Sequence, residues 1–256
     1  MANIYHVDLN KQIIKNSKVA IIPGDPARVI KIAQALSKDS KELAFNREYR
    51  TWIVPCGKSN ILVTSTGIGG PSATIAIEEL AYLGVKVFVR VGTTGSIQKD
   101  LKIGDIVITN ASVRLDGAST HYAPIEYPAV SDFGVTRILV ESAETAKIKY
   151  KVGITASSDT FYPGQERYDS LSGYVIKRFQ GTMKEWQKLN VLNYEMESSS
   201  VLTTCSALGL KAGCIAGVIV NRASSEKINH DDVKRAENNS IEVVKNSIQK
   251  LITLAS

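Results

Sequence analysis

Residues 85 to 92 read VKVFVRVG: four valines and a phenylalanine in a short run, with one lysine near its start and one arginine, Arg90, inside it. A strand with one wet face would alternate apolar and polar residues. Apart from those two charges the run is apolar, which is the pattern of a strand covered on both faces. Short β-branched runs recur at KVAIIPG (18–24), NILVTSTG (60–67), GDIVIT (104–109), KVGITASS (151–158), VLNYE (191–195) and CIAGVIV (214–220), and several of them share that pattern. Between them lie segments of helical periodicity at Pro26 to Leu36, Pro71 to Leu83 and Met196 to Leu208. A C-terminal helix carries Ile241, Val244, Ile248 and Leu251 on one stripe. The expected architecture is α/β: a mixed, mainly parallel central sheet flanked by helices.

The chain has 256 residues, 44% hydrophobic and 22% charged, a length that suits one large domain spanning residues 1–256. It contains no repeat, low-complexity tract or linker. The opening MANIYHVDLN lacks the basic stretch and apolar core of a signal peptide, and no apolar run reaches the length of a membrane span. Three cysteines, Cys56, Cys205 and Cys214, have no paired spacing, so neither a disulfide framework nor a zinc site is expected. These features predict a cytoplasmic protein. The net charge of +6 comes from dispersed lysines rather than basic blocks with interleaved aromatics, which argues against nucleic-acid binding.

In open α/β sheets a ligand sits where strands end and helices begin. Three such junctions carry glycine: PGDPAR (23–28), STGIGGPS (65–72) and RVGTTG (90–95). At the first, Gly24 closes a strand, Pro26 starts a helix and Arg28 follows within a turn, so amides, helix dipole and guanidinium converge as for an oxyanion. An ordinary turn with a solvated arginine fits those residues equally well. Arg90 is different, because an unpaired charge within a buried strand is costly and requires an anionic partner. That partner is either an acidic side chain or a phosphate cradled by the following GTTG, and the small hydroxyl and backbone donors favour phosphate. Neither loop has the spacing of a nucleoside-triphosphate or dinucleotide fingerprint, so free phosphate is the expected ligand.

The stretch SSDTFYPGQERYD (157–169) places Gln165 and Arg167 two residues apart beside aromatic rings. An amide and a guanidinium together match a flat ring bearing carbonyls and an N–H, as in a pyrimidine; a solvated turn is the plain alternative. NYEMESSS (193–200) sets Glu195 and Glu197 between a strand and a helix, where they either cap the helix or accept from a cis-diol. His6, His121 and His230 show no metal-ligand spacing, and an exposed, uninvolved His6 is the default so near the N-terminus.

Taken in order, PGDPARV, STGIGGPS, RVGTTGSIQ, ASVRLDGAS, ASSDTFYPGQERYD, NYEMES and AGVIVNR resemble the nucleoside phosphorylase-I family, and within it the members that cleave uridine. The resemblance runs from about Tyr5 to the C-terminal helix. It implies reversible phosphorolysis of uridine to uracil and α-D-ribose 1-phosphate in pyrimidine salvage. Inorganic phosphate would be the co-substrate and no cofactor would be required. It implies Gly24, Arg28, Arg90 and Thr93 as phosphate binders, with Arg47 lent by a neighbouring subunit. Phe161, Gln165, Arg167, Ile219 and Val220 would form the uracil pocket, with Arg222 helping to position the Gln-Arg pair. Thr93, Glu195, Met196 and Glu197 would hold the ribose, and His6 would reach it from the neighbour. Arg90, Arg167 and Glu197 would carry the chemistry. Glu48, Ile68 and Ser72 match positions that in some bacterial members hold a monovalent cation, K+, between paired subunits. The implied assembly is a homo-oligomer of dimer units forming a hexamer. Purine-cleaving members use an aspartate after the AGVIV strand; here Asn221 and Arg222 stand there. Departures from the family pattern fall in surface segments such as RASSEKINH (222–230), the place of a loop that closes over substrate.

Overall fold

The computed structural model describes residues 2–256. In chain order the elements are β1 (Val19–Pro23), α1 (Pro26–Leu36), β2 (Lys41–Asn46), β3 (Tyr49–Cys56), β4 (Ser59–Thr64), α2 (Gly70–Leu83), β5 (Val87–Ser96) and β6 (Ile106–Leu115). They continue with β7 (Ala129–Val130), α3 (Phe133–Thr145), β8 (Tyr150–Ser158), α4 (Thr182–Lys188), β9 (Asn193–Glu195), α5 (Ser198–Ala207), β10 (Lys211–Asn221) and α6 (His230–Ala255).

The VKVFVRVG run is the core of β5, which is parallel to β1 on one edge and to β10 on the other. Beyond β1 come β4, parallel, and then β3 and β2, antiparallel. Beyond β10 the sheet turns back: β10 pairs antiparallel with β6, β6 parallel with β8, and β8 parallel with β9. β9 then pairs antiparallel with the far end of β5, through Gly95 with Tyr194 and Ser96 with Asn193. Five strands thus close a ring that includes β5 twice over, at its start and at its end. Parallel pairing dominates the strands nearest the centre, and antiparallel pairs close the ring and form the outer edge.

One edge of β5 therefore changes partner. It pairs with β1 as far as Val91 and with β9 only from Gly95. Gly92, Thr93 and Thr94 lie in the gap, where the chain direction of the neighbouring elements switches and a ligand site is expected.

The period-two alternation of β5 divides its side chains between two helical layers. Val87, Val89 and Val91 pack with α1, α3 and α6 through Val29, Leu139 and Val244. Phe88 packs with α2 and α5 through Leu80 and Val201. By the same alternation Arg90 faces the α5 side. Helix starts are set locally: Asp25 caps α1 by accepting from the Ala27 amide at 2.8 Å, with Pro26 in the first turn, and Asp132 caps α3 through the Val135 amide. α2 ends at Gly84, whose φ of 111° requires glycine. α5 begins at Ser198 rather than Met196 because Glu195 is still in β9 and Glu197 occupies the cap position. Among the described residues no helix is long and apolar enough to cross a membrane.

Asp116 ties the short 3-10 turn Ala118–His121 to the start of α5. Its carboxylate accepts from the Ser119 amide at 2.7 Å and from the hydroxyls of Ser119, Ser199 and Ser200 at 2.9, 2.5 and 2.6 Å. Burial pushes this carboxyl up, but the Ser199 and Ser200 hydroxyls with both Ser119 donors pull harder and hold it below the usual carboxylate range. Asp116→Ala leaves three hydroxyls without their acceptor and is expected to cost about 2 to 3 kcal/mol at pH 7, measured by urea denaturation. The folded-state value lies below the unfolded one of about 3.9, so this stabilisation is present above that pH and is lost as pH falls through the folded value. The gap between wild type and variant should close in acid; a gap that is constant with pH would contradict the assignment.

Candidate active site

A cavity of about 420 Å³ opens at the unpaired stretch of β5. The β1–α1 turn and β5 contribute Gly24, Arg28, Arg90 and Thr93. The β8–α4 connection contributes Phe161, Gln165 and Arg167, β10 contributes Ile219 and Val220, and Glu195, Met196 and Glu197 lie between them. Ile68 reaches the same cavity, although it is among the exposed large apolar side chains. The two glycine junctions are stitched together by the Gly67 amide donating to the Gly24 carbonyl at 2.9 Å. Tyr194, Thr94, Asp25 and Ile228 also line the cavity, though sequence motifs gave no reason to single them out.

Arg90 is 7% exposed, and its anionic partners are supplied by the protein itself. Its Nε donates to Glu195 Oε2 at 3.0 Å and its Nη2 to Glu197 Oε2. The burial argument for a phosphate partner is therefore corrected: the charge is already answered by side chains, the alternative that the sequence left open. Gly92 makes room, since a Cβ there would lie 3.3 Å from Arg90 Nη2. Burial works against the guanidinium charge, but Glu197 and Glu195 outweigh it and raise the pKa above its ordinary value. Glu197 is pushed up by burial, with Arg90 pulling it down and Glu195 adding to the rise.

The acidic pair divides its labour. Glu195 caps α5, accepting from the Glu197 and Ser198 amides at 2.9 Å and from the Ser198 hydroxyl at 2.6 Å. Glu197 instead accepts from the Gly69 amide at 2.6 Å and from Arg90, which joins the second glycine loop to β5 across the cavity. Arg28 is likewise anchored by an acid that the motifs did not reveal: its Nε donates to Glu237 Oε1 on α6 at 3.1 Å, and Lys31 pairs with the same carboxylate. The α1 amide at Ala27 is taken by Asp25, so the first turn offers an anion fewer free donors than its sequence implies.

Gln165 and Arg167 both face the cavity because the residue between them turns away. Glu166 adopts φ 52°, and its carboxylate accepts from the amides of Gly181 and Met183 at the start of α4. Gln165 is 3% and Arg167 6% exposed, so neither belongs to a solvated turn. The Arg167 guanidinium stacks 4.2 Å from the Phe161 ring centroid and donates from Nη1 to Glu226 at 2.6 Å. Arg222 lies outside the cavity lining, stacks on Tyr194 at 5.4 Å and donates to the same Glu226 at 2.7 Å. Burial, then the nearby Arg222, lower the Arg167 pKa, and Glu226 opposes both.

Besides Arg222, four of the residues singled out in the sequence do not line this cavity. His6 is half-buried, with Nδ1 2.6 Å from Glu79 Oε1 and its ring edge-on to Tyr5 and Tyr49. Arg47 is exposed at the tip of the β2–β3 hairpin, in a left-handed conformation at φ 54°, beside Tyr5. Glu48 and Ser72 flank Gly67, and the Ser72 hydroxyl donates to the Ile68 carbonyl at 3.1 Å. These three residues, Glu48, Ile68 and Ser72, therefore gather at one place.

The family model for the phosphorylase superfamily matches residues 18–253. The chain belongs to this superfamily. The phosphorylase is 50% identical over 251 residues to the uridine phosphorylase of Salmonella typhimurium, covering 98% of this chain and 99% of the relative. It is 51% identical over 254 residues to the uridine phosphorylase of Haemophilus influenzae, covering 99% and 100%. It is also 38% identical over 201 residues to the guanosine phosphorylase of Halorubrum lacusprofundi, covering 78% and 77%.

Replacing Arg90 by methionine keeps volume but leaves two buried carboxylates facing each other. Arg90→Met is expected to cost about 3 to 5 kcal/mol of stability at pH 7 in chemical denaturation. Burial already raises Glu197, and losing Arg90 removes the group that pulls it down, so its folded-state value lies above the unfolded one and the deficit should shrink as pH falls and Glu197 takes up a proton. A variant as stable as wild type at neutral pH would show that the ion pair contributes nothing.

Proposed function

We propose that this phosphorylase cleaves uridine with inorganic phosphate, reversibly, to give uracil and α-D-ribose 1-phosphate, acting as a pentosyltransferase. The observation that carries the reading is one cavity holding Gln165 and Arg167 against an aromatic ring and, a few residues of β5 away, Arg28, Arg90 and Thr93. The uridine phosphorylases to which the chain is about half identical support it. So does Asn221, which stands where a purine-directed aspartate would: its amide is spent on the carbonyls of Gln98 and Leu101, at 3.1 and 2.6 Å.

In this reading Phe161 and the apolar Ile219 and Val220 hold the uracil ring, and the Gln165 amide matches its carbonyl and N–H edge. Arg167 stabilises the negative charge that grows on the departing base, an interaction worth more in the transition state than in the ground state. Arg28, Thr93 and Gly24 bind phosphate. Arg90 joins them by sharing its donors between phosphate and the carboxylates that hold it. Glu197 and Glu195 with Met196 accept and pack the ribose, and Glu197 takes the 2′-hydroxyl. Phosphate attacks C1′ as the bond to the base breaks, with inversion and no covalent intermediate, so the protein positions and neutralises rather than acting as nucleophile.

The same reading makes residues 1–256 a single cytoplasmic nucleoside phosphorylase domain that works as a homo-oligomer, dimer units building a hexamer. His6 and Arg47 then serve the neighbour's site. Arg47 has a left-handed backbone, at a cost of about 1 kcal/mol, and its exposed side chain lies beside Tyr5 outside its own cavity, which leaves it accessible to a neighbour. With Nδ1–H donated to Glu79, His6 keeps Nε2 for a hydroxyl. A K+ between paired subunits would take oxygen donors from Glu48, the Ile68 carbonyl and Ser72, a hard-oxygen set suited to such an ion.

Ultraviolet monitoring of uridine with and without phosphate tests the chemistry. Cleavage should depend on phosphate, with little action on inosine. Equal rates without phosphate would mean hydrolysis, and faster turnover of inosine would overturn the base assignment.

Assembly is tested by complementation. In a two-fold pair the sites exchange residues reciprocally, so mixing inactive Arg47→Ala with inactive Arg167→Ala subunits yields one site with both defects and one with neither. Part of the activity should return on mixing. Subunits that exchange without regaining activity, or a fully active monomer in sedimentation, would make Arg47 an ordinary surface arginine.

A further inference from the structure

Glu226 lies in the segment between β10 and α6 and carries out a task that no motif assigns to it. One carboxylate oxygen accepts from Arg167 Nη1 at 2.6 Å and the other from Arg222 Nε at 2.7 Å. Both arginines are nearly buried, while the Glu226 side chain is 45% exposed. A carboxylate thus reaches in from the surface to hold two guanidiniums of like charge. Each guanidinium is also fixed on a face, Arg167 by Phe161 and Arg222 by Tyr194. A planar group held at one edge and one face has its orientation set, and the remaining Arg167 donors are left for the cavity it lines.

We propose that Glu226 is the positioning residue of the base pocket, fixing the Arg167 guanidinium so that a pyrimidine departing as an anion meets donors already in place. This rests on the uridine reading above. An opposing effect exists, because a carboxylate on Arg167 offsets part of the positive charge offered to the base. Burial decides between the two. Water screens the half-exposed Glu226 charge, so its repulsion of the base is weakened, whereas the buried guanidiniums would repel each other without it. The same two hydrogen bonds fasten the segment that brings Ile228 to the cavity wall, so the position of that wall and the orientation of Arg167 depend on one carboxylate.

The test is steady-state kinetics of Glu226→Gln on uridine and on 5-fluorouridine, whose base leaves more readily as an anion and depends less on Arg167. Turnover of uridine should fall roughly ten- to a hundredfold, as for a lost hydrogen bond between charged groups. KM for phosphate should stay within about twofold and the loss with 5-fluorouridine should be clearly smaller, because only the base end is disturbed. In an Arg167→Lys background Glu226→Gln should add little, since it acts through Arg167. Unchanged or faster uridine turnover, equal losses on both substrates, or fully additive losses in the double variant would overturn the proposal. A wild-type protein that leaves uridine untouched in the presence of phosphate removes the functional reading itself. An active wild type with a neutral Glu226→Gln removes only the positioning role.

Discussion

The ion pair between Arg90 and the two glutamates at the start of α5 is the contact on which the site's geometry depends. A guanidinium inside a strand can be buried only if its charge is answered, and the answer comes from a different element packed on the same face of the sheet. Glu195 at once caps α5 and grips Arg90, while Glu197 grips Arg90 and the Gly69 amide. One cluster therefore fixes β5, the β4–α2 loop and the α5 terminus relative to one another. Burial, with Glu195 adding to it, keeps Glu197 above the usual carboxylate range even though Arg90 pulls it down.

The same arrangement recurs around the cavity. Glu237 holds Arg28, and Glu226 holds Arg167 and Arg222. Every arginine lining the cavity is thus oriented by at least one glutamate from a distant part of the chain. Guanidiniums prearranged in this way do not have to be ordered by the substrate, and the conformational entropy is surrendered on folding rather than on binding.

Much of this was legible in the sequence. Apolar runs without alternation gave most of the buried strands, with β8 exposed at Val152 and Ile154 over its first half, and the strand-to-helix junctions with glycine fell at the cavity. The residues of PGDPAR, RVGTTG, the Gln-Arg turn and the acidic pair all converge there. The β2–β3 hairpin was not read, because KELAFN is a largely exposed edge strand and YRTWIVPC, between β2 and β4, is buried over only part of its length, so neither is apolar throughout. Glu226 and Glu237 were missed for another reason: each meets the cavity arginine it holds only through tertiary packing, Glu226 across 59 residues and Glu237 across 209, and neither sits in a recognisable motif. The role of Arg90 was misjudged in one respect, since strand burial shows that an anion must be near but cannot say whether the chain brings its own.

The two walls of the cavity differ in what a mutation there would disturb. Gly24, Arg90 and Thr93 belong to strands or their ends, and a change at Arg90 reaches the core through its buried glutamates. The opposite wall is largely made by the turn around Phe161 to Arg167 and by the segment around Glu226 and Ile228, neither of which is part of the sheet. Substitutions, insertions or altered turns in those segments can reshape one end of the cavity while the strand ladder stays intact. Variation of that kind changes what one end of a cavity can accept without a new frame, and relatives named for different nucleosides align with this one chain.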